Sequence, residues 1–406
     1  MAMSDTIPPM FDPFEPGFFD DPYPQYRLLR DEDPVHEHPM LRLWFLTRYE
    51  DVSAVLRAGL SVEARSLTTG DVFEQSEALS GTRALVDNHS MLERDPPDHT
   101  RLRSLVAKVF TRRAVAALEP EIARLVDDAL ERLACAGTAD LVETLAFPLP
   151  FTVISRMLGM PPTDSTRIRE LSGALVRSWE PIADSEIMDT LIHASAELMQ
   201  IIRSLIDWKR RHPADDLLTA LIAAEHEGTV LSEDELVSQV VLLYVAGHET
   251  TVNLIANGVV ALLRNPDQLE LLRSQPHLAS NAVEEVLRYD TPVQLTRRIT
   301  IAPHTIGDKE IPAGSLIIPC LGSANRDERF FGSSADQLRI ERPEARSQIS
   351  FGVGPHRCVG AALARLQGRI AIERLVKRFP NLSLADDVAW NNRINLRGAA
   401  RVPVSV

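Results

Sequence analysis

The spacing of apolar residues along the chain is predominantly helical. The clearest run begins after Ser232 and ends near Arg264, just before an Asn-Pro pair. Ser232 followed three residues later by Glu235 is typical of a capping box at the start of a helix. Residues 240–245 are almost entirely apolar, which indicates a helix buried on all sides. At ~1.5 Å per residue this helix would be ~50 Å long, enough to cross a whole domain.

Shorter patterns surround this helix. They predict short strands at 44–47 and 316–319, and helices at 97–115, 119–134, 151–158, 359–379 and on either side of the tip at residues 179–181. Residues 61–88 are mostly polar and irregular, which is typical of a functional loop. We find no linker, so we predict one domain over residues 1–406, mainly α with small β-sheets.

Composition narrows the class of protein. The 406 residues are 45% hydrophobic and 25% charged, with a net charge of −14. The acidic balance argues against nucleic acid as a general partner. No stretch reaches the ~18 apolar residues that span a bilayer, and the N-terminal residues lack the pattern of a signal peptide. The three cysteines show no paired spacing. We therefore predict a cytoplasmic protein with no membrane partner.

The segment before the last long helical pattern carries the most specific chemistry. Residues 351–360, Phe-Gly-Val-Gly-Pro-His-Arg-Cys-Val-Gly, place Cys358 at a predicted helix N-terminus. Free N–H groups and the helix dipole favour a thiolate there. A thiolate can be the axial ligand of haem iron, where it favours O–O cleavage. A lone cysteine is otherwise usually a small buried apolar residue, which is our interpretation of Cys135 and Cys320.

A second unusual segment interrupts the buried helix. Residues 246–251, Ala-Gly-His-Glu-Thr-Thr, include a glycine, which costs about 1 kcal/mol relative to alanine in a helix, and a carboxylate that is expensive to bury unpaired. Such exceptions in mid-helix suggest a site. Ala246 and Gly247 would make room for a bound diatomic molecule, Thr250 could hydrogen-bond it, and Glu249 could relay protons. The alternative is a glycine kink with a solvent-facing Glu249.

Both segments resemble signatures of the cytochrome P450 monooxygenases. Residues 351–360 agree with the haem-binding signature of that family, and residues 246–251 agree with its Ala-Gly-x-Asp/Glu-Thr motif. Glu285-x-x-Arg288 resembles a buried structural pair of the family, and residues 325–327 and 342–343 resemble the segments that complete its network. The resemblance covers nearly the whole chain. It implies the single-domain cytochrome P450 fold and haem b as the cofactor, with Cys358 as the iron ligand.

The haem propionates need cationic partners, and the chain offers several. In isolation, residues 95–103 are equally consistent with a charged surface helix. The resemblance implies that His99 and Arg103, one helical turn apart, bind a propionate. Of the Arg297–Arg298 doublet we favour Arg298. The predicted cofactor contacts are thus His99, Arg103, Ala246, Arg298, Phe351, His356, Cys358 and Gly360.

The resemblance implies insertion of one oxygen atom from O2 into a mid-sized hydrophobic substrate, with Glu249 and Thr250 delivering protons. Similarity to actinobacterial members favours a macrolide or other polyketide, a terpenoid or a steroid-like molecule. Alternatives are epoxidation, desaturation or oxidative coupling on the same fold, and a haem-binding protein without catalysis, against which the intact Glu249–Thr250 pair argues. Specificity is expected from the loop at 61–88, the helices around residue 179, and the apolar residues Leu242, Val245, Val293 and Leu295.

Electrons are expected from separate proteins. The sequence has no Gly-x-Gly-x-x-Gly after a strand and no room for a fused reductase. The resemblance therefore implies a small ferredoxin and its NAD(P)H-dependent ferredoxin reductase. A basic segment could dock such an acidic carrier, and the alternative is a solvated helix face. Its members are Arg101, Arg103, Lys108, Arg112 and Arg113.

Overall fold

The computed structural model describes residues 9–68, 89–108, 110–160, 165–180, 185–226 and 229–406. Helices dominate this part of the chain. In chain order they are α1 Tyr23–Glu32, α2 Tyr49–Arg57, α3 Asp98–Ala107, α4 Arg112–Ala117, α5 Glu119–Ala136, α6 Pro148–Met157, α7 Ser165–Leu175, α8 Ser185–Arg211, α9 Leu217–Ile222, α10 Glu233–Arg264, α11 Pro266–Ser274, α12 Ala279–Tyr289, α13 Leu321–Ala324, α14 Glu328–Phe331 and α15 Ala361–Arg378.

The β-structure is small and divided among several sheets. The largest sheet has the order β1 (Val35–His38), β2 (Leu43–Leu46), β9 (Leu316–Pro319) and β6 (Arg298–Ile299), with β2 and β9 parallel. Another sheet is formed by β10 (Ser383–Leu384), β13 (Pro403–Ser405) and β3 (Thr138–Asp140). The mainly α fold with small β-sheets is therefore confirmed. The strands are β1 Val35–His38, β2 Leu43–Leu46, β3 Thr138–Asp140, β4 Glu225–His226, β5 Thr229–Val230, β6 Arg298–Ile299, β7 His304–Ile306, β8 Lys309–Ile311, β9 Leu316–Pro319, β10 Ser383–Leu384, β11 Ala389–Trp390, β12 Ala399–Arg401 and β13 Pro403–Ser405.

Helix α10 is the central element of the core. The Glu235 N–H donates to the Ser232 hydroxyl (3.2 Å) and the Ser232 N–H donates to the Glu235 carboxylate (2.9 Å), which confirms the capping box. Residues 236–245 are all buried, and the apolar ones among them belong to one cluster; most residues from 252 to 262 are buried in another. The unusual segment at 246–250 lies between the two clusters. There Ala246, Glu249 and Thr250 keep accessible surface.

The predicted helix at 97–115 is wrong in one respect, because the structure divides it into α3 and α4. Thr111 has an extended backbone conformation, and its hydroxyl accepts the N–H of Ala114 at 3.1 Å. A threonine in that arrangement begins a new helix and cannot continue the previous one. The other predicted helices and strands occur within a few residues of their expected bounds. Strand 316–319 is confirmed without change.

Two predictions extend beyond what the structure describes. Residues 69–88, most of the expected specificity loop, and residue 181, the end of the expected tip, lie outside the described residues. Within the described ranges, no helix is long and apolar enough to cross a membrane. The cytoplasmic location stays a prediction from the sequence.

Candidate active site

The loop that carries Cys358 leads into the N-terminus of α15. Gly352 and Gly354 have φ angles of +64° and +78°, which favour glycine. A Cβ on Gly354 would also lie 2.4 Å from the carbonyl oxygen of Leu56, so no side chain fits there. The Cys358 N–H donates to the Phe351 carbonyl at 2.8 Å and closes the loop. The sequence pattern is therefore required by the backbone of this loop.

The Cys358 side chain faces an internal recess. Its surface is accessible, yet the surrounding protein desolvates the sulphur and raises the pKa of the thiol. Accessible surface that is nevertheless desolvated belongs to a recess and not to the outer face of the molecule. The Gly360 N–H and the charges of Arg103 and Arg365 oppose this effect and favour the thiolate. The Arg365 guanidinium also lies 4.4 Å from the centre of the Phe351 ring.

The other cysteines have different surroundings. Cys320 is buried, as expected, and burial raises the pKa of its thiol to about 12. The expectation for Cys135 is wrong, because this residue is exposed. Helix α5 buries the face that includes Leu130 and Leu133, and Cys135 lies on its solvent side.

Four basic side chains lie together beside the Cys358 loop. The rings of His99 and His356 are 4.1 Å apart. Arg103 donates to the Arg357 carbonyl at 2.5 Å, which places it against the same loop. Burial, together with repulsion from His99, Arg298 and Arg103, lowers the pKa of His356 to about 3. Burial also lowers the pKa of Arg298 to about 10. Such a cluster is electrostatically suited to an anionic group.

The residues of this cluster fit the propionates of haem. His99 is 3% exposed, and its Nε2 has no hydrogen-bond partner among the described residues. A buried nitrogen without a partner is costly, so a ligand atom is expected beside it. Asp95, a carboxylate that acts electrostatically on His99 and Arg298, already accepts from the Ser61 hydroxyl (2.5 Å) and the Val62 N–H (3.0 Å). Haem would supply both the thiolate-bound iron and the negative charges.

Glu249 is held between two nitrogen-containing side chains. Its Oε2 lies 3.3 Å from Nη1 of Arg393, and its Oε1 lies 3.6 Å from Nε2 of His248. Burial alone would raise the pKa of this carboxyl, but His248 and then Arg393 outweigh it and hold the pKa below its ordinary value. The alternative of a solvent-facing Glu249 is wrong, since its side chain is 14% exposed and ion-paired. Arg393 is 144 residues away in the chain, and no local signal in the sequence reveals it.

The neighbours of Glu249 on α10 have separate roles. The Thr250 hydroxyl donates to the Ala246 carbonyl at 3.0 Å, and both residues keep accessible surface. A Cβ on Gly247 would lie 3.1 Å from two side-chain carbons of Ile154 on α6. The expectation that Gly247 makes room for a diatomic molecule is therefore replaced by a packing role. Glycine at this position lets α10 approach α6 closely.

A buried polar network supports the Cys358 loop from behind. Glu285 and Arg288 are both 0% exposed and form two hydrogen bonds of 2.8 Å. Arg342 donates to the same carboxylate at 3.1 Å. Arg288 also donates to the Asn325 carbonyl at 2.9 Å, and the Asn325 side chain accepts the Ile349 N–H at 2.9 Å. The ion pair is thus connected to the backbone that leads directly into the loop.

The predicted substrate contacts differ in their surroundings. Val293 is half-buried, while Leu242 is 7% exposed and packs with Leu396 in the cluster of α10. Val245 (0% exposed) and Leu295 (3% exposed) are packed into the core and offer a ligand almost no surface. The structure therefore does not bring these last two to an accessible position. Leu396, paired with Val293 by a β-bridge, is 2% exposed and is likewise packed into the core.

The basic segment that could dock an electron carrier is divided by the fold. Arg101 is half-buried and forms an ion pair with Glu235. Arg103 faces the Cys358 loop. Three members remain on the surface, namely Lys108, Arg112 and Arg113.

The chain is similar to known proteins over nearly its whole length. The family model described as Cytochrome P450 matches residues 39–392. Cytochrome P450 107B1 of Saccharopolyspora erythraea is 42% identical and covers 96% of each chain. Vitamin D(3) 25-hydroxylase of Pseudonocardia autotrophica is 40% identical and covers 100% of this chain and 99% of its own. The structure of cytochrome P450 PksS of the Bacillus subtilis 168 bacillaene polyketide synthase has a TM-score of 0.88 at 37% identity, over 98% of this chain and 99% of that one.

The fold and the Cys358 loop together define a haem-thiolate protein. The chain belongs to the cytochrome P450 family and is a monooxygenase with haem as its cofactor. When bound, haem supplies the iron centre at which O2 is activated. Cys358 would ligate that iron, and the four basic side chains would bind the propionates.

Proposed function

We propose that this protein hydroxylates a mid-sized hydrophobic molecule, with Glu249 and Thr250 delivering protons to the site of oxygen activation. The observation that carries this proposal is the position of Glu249. The Glu249 carboxylate is nearly buried, but its contacts with His248 and Arg393 keep it charged. It lies next to Thr250 on the part of α10 that keeps accessible surface. A carboxylate in that place can hold a proton and pass it to a neighbouring hydroxyl or water.

Proton delivery is tested by coupling, the ratio of product formed to electrons consumed. Thr250→Ala and Glu249→Gln should both lower coupling, and Thr250→Ala should release peroxide. Thr251→Ala is the matched control, because the Thr251 hydroxyl also bonds back to a helix carbonyl but is 3% exposed. Unchanged coupling in Thr250→Ala would remove the role assigned to this hydroxyl.

The substrate that we propose is a macrolide or other polyketide, a terpenoid or a steroid-like molecule. The candidate contacts that keep accessible surface are apolar, which suits an apolar ligand. They are Ala246, Val293 and, with 7% of its surface exposed, Leu242. Similar proteins are named for polyketide synthesis and for vitamin D(3) hydroxylation, which supports the same range. Apolar contacts discriminate only weakly among such molecules, so the residues of the site do not select one of these substrate classes over the others.

A spectral titration tests the substrate class. The haem-loaded protein is titrated with polyketides, macrolides, terpenes and steroids while the Soret band is recorded. A blue shift would identify a compound that reaches the iron. No shift across the panel, in protein whose reduced CO complex has the red-shifted thiolate band, would overturn a free mid-sized substrate and favour a carrier-bound one.

Hydroxylation is separated from the alternative oxidations by the mass of the product. One inserted oxygen adds about 16 mass units, whereas desaturation or coupling removes about 2. An epoxide has the same mass as an alcohol and is distinguished by NMR. The alternative of a haem-binding protein without catalysis is set aside, because the family and the relatives are monooxygenases.

We also propose that a ferredoxin and its NAD(P)H-dependent reductase supply the electrons. The exposed basic residues Lys108, Arg112 and Arg113 would bind an acidic ferredoxin. Replacing all three by alanine should slow reduction by ferredoxin at low salt and leave reduction by dithionite unchanged. Equal ferredoxin rates at low and high salt in the unmodified protein would contradict this docking site.

A further inference from the structure

The turn at residues 391–396 is joined to the segment that contains α7 by hydrogen bonds at both ends. The Glu180 carboxylate accepts the N–H groups of Ile394 (2.7 Å) and Asn395 (3.1 Å). Arg393 Nη2 donates to the Gly173 carbonyl of α7 at 3.3 Å. The turn and residues 173–180 are therefore held against each other at two separate points.

The turn is itself well defined by local hydrogen bonds. The Asn391 side chain accepts the Arg393 N–H at 3.2 Å and donates to the Leu396 carbonyl at 2.8 Å. Asn392 has a φ of +51°, a left-handed conformation that asparagine tolerates better than most residues. These contacts direct the Arg393 side chain away from the turn backbone, toward α7 and α10.

The same guanidinium reaches the candidate proton relay. Arg393 Nη1 lies 3.3 Å from Glu249 Oε2, and the two side chains are 17% and 14% exposed. The charged and titratable groups that act on Glu249 are His248 from its own helix and Arg393 from the turn. Glu180 is close enough for its carboxylate to interact electrostatically with Arg393. One arginine therefore joins the α7 segment to the carboxylate on α10.

We propose that Arg393 is a positioning residue for proton delivery, which holds the Glu249 carboxylate ionised and in a fixed direction, and that Glu180 keeps Arg393 within reach by anchoring the turn. This inference rests on the proposed function of Glu249 as a relay. Its consequence is that the charge of the relay depends on whether residues 173–180 are closed against the turn. Loss of that closure withdraws the cation from Glu249.

The direct test is the titration of Glu249 in the ferric, haem-loaded protein, followed by infrared spectroscopy of the protonated carboxyl group. The Glu249→Gln variant identifies the signal by its loss. Arg393→Gln should move the titration midpoint to higher pH, because a desolvated carboxylate without its cation is easier to protonate. Arg393→Lys should return the midpoint toward the original value. If Arg393 only stabilised the fold, the Glu249 midpoint would not rise in Arg393→Gln and return in Arg393→Lys.

Two further variants complete the test. Arg401→Gln is the matched control, since Arg401 pairs with Asp386 at 3.5 Å on the exposed surface of the same C-terminal region. It should leave the midpoint unchanged. Glu180→Gln should speed hydrogen exchange at the Ile394 and Asn395 amides and move the midpoint in the same direction as Arg393→Gln, by less.

The outcomes separate this inference from the proposed function. If Glu249→Gln does not alter coupling, the proposed relay fails. If Glu249→Gln lowers coupling but Arg393→Gln leaves the Glu249 midpoint unchanged, the positioning role of Arg393 alone is overturned. Should Arg393→Gln fail to retain haem, Glu180→Gln decides the question, because a Glu249 midpoint equal to that of Arg401→Gln would then overturn the inference.

Discussion

Replacing Gly247 by alanine distinguishes two explanations of this mid-helix glycine. A Cβ there would lie 3.1 Å from Cγ1 and Cδ1 of Ile154, which is 2% exposed on α6. Overpacking of this kind typically costs about 1–3 kcal/mol. Alanine regains about 1 kcal/mol of helix propensity relative to glycine. We therefore expect Gly247→Ala to lower the free energy of unfolding by about 1 kcal/mol.

The effect of Gly247→Ala on the free energy of unfolding should change sign when Ile154 is replaced by alanine. Ile154→Ala alone should cost about 2–5 kcal/mol through lost burial and a cavity. In that background the new methyl group meets only the Cβ of residue 154, at an ordinary contact distance of 3.7 Å, and Gly247→Ala should stabilise by about 1 kcal/mol through propensity. The double-mutant cycle should thus give a coupling free energy of about 2 kcal/mol.

Urea unfolding, followed by circular dichroism at equal haem content, measures all four proteins of the cycle. Coupling of electrons to product is measured alongside. If Gly247→Ala costs no stability in either background but lowers coupling, the packing explanation is wrong. The glycine would then serve to make room for a bound diatomic molecule.

Three other predictions follow from buried charges. Arg288→Ala leaves the buried Glu285 carboxylate with Arg342 as its remaining charged partner, and urea unfolding should show a loss of about 3–5 kcal/mol; a loss below 1 kcal/mol would contradict the network. His99→Ala combined with Arg103→Ala should speed haem transfer to an acceptor globin, and an unchanged rate would remove them as propionate partners. Glu249 has a folded-state pKa below its ordinary value of 4.5, so its stabilising contribution is complete above that value and is lost as pH falls through the folded pKa. Glu249→Gln should flatten the acid side of the stability curve, and an unaltered curve would contradict the ion pair.

Local patterns predicted the elements whose causes are local. The start of α10 follows from the reciprocal hydrogen bonds of Ser232 and Glu235, which lie three residues apart. The Cys358 loop follows from glycines that its backbone angles require. The break at Thr111 was missed because the apolar pattern runs on across it, although a threonine there was a usable capping signal.

Contacts between distant segments could not be predicted in this way. Val245 and Leu295 have the same apolar character as Val293, and only packing decides that the first two are buried while Val293 keeps accessible surface. Cys135 is exposed because of the direction in which α5 presents its apolar face.

By itself the sequence predicted the haem-thiolate chemistry, the α-rich fold and Glu249 as the carboxylate of the proposed relay, because each depends on residues close together in the chain. Only the tertiary structure decided which groups surround that carboxylate. Arg393 approaches it from a turn far away in sequence, and Glu180 binds that turn. Both contacts depend on how α7, α10 and the C-terminal turn pack. The electrostatic state of a buried group is a property of its neighbours in space, and periodicity along the chain carries no information about them.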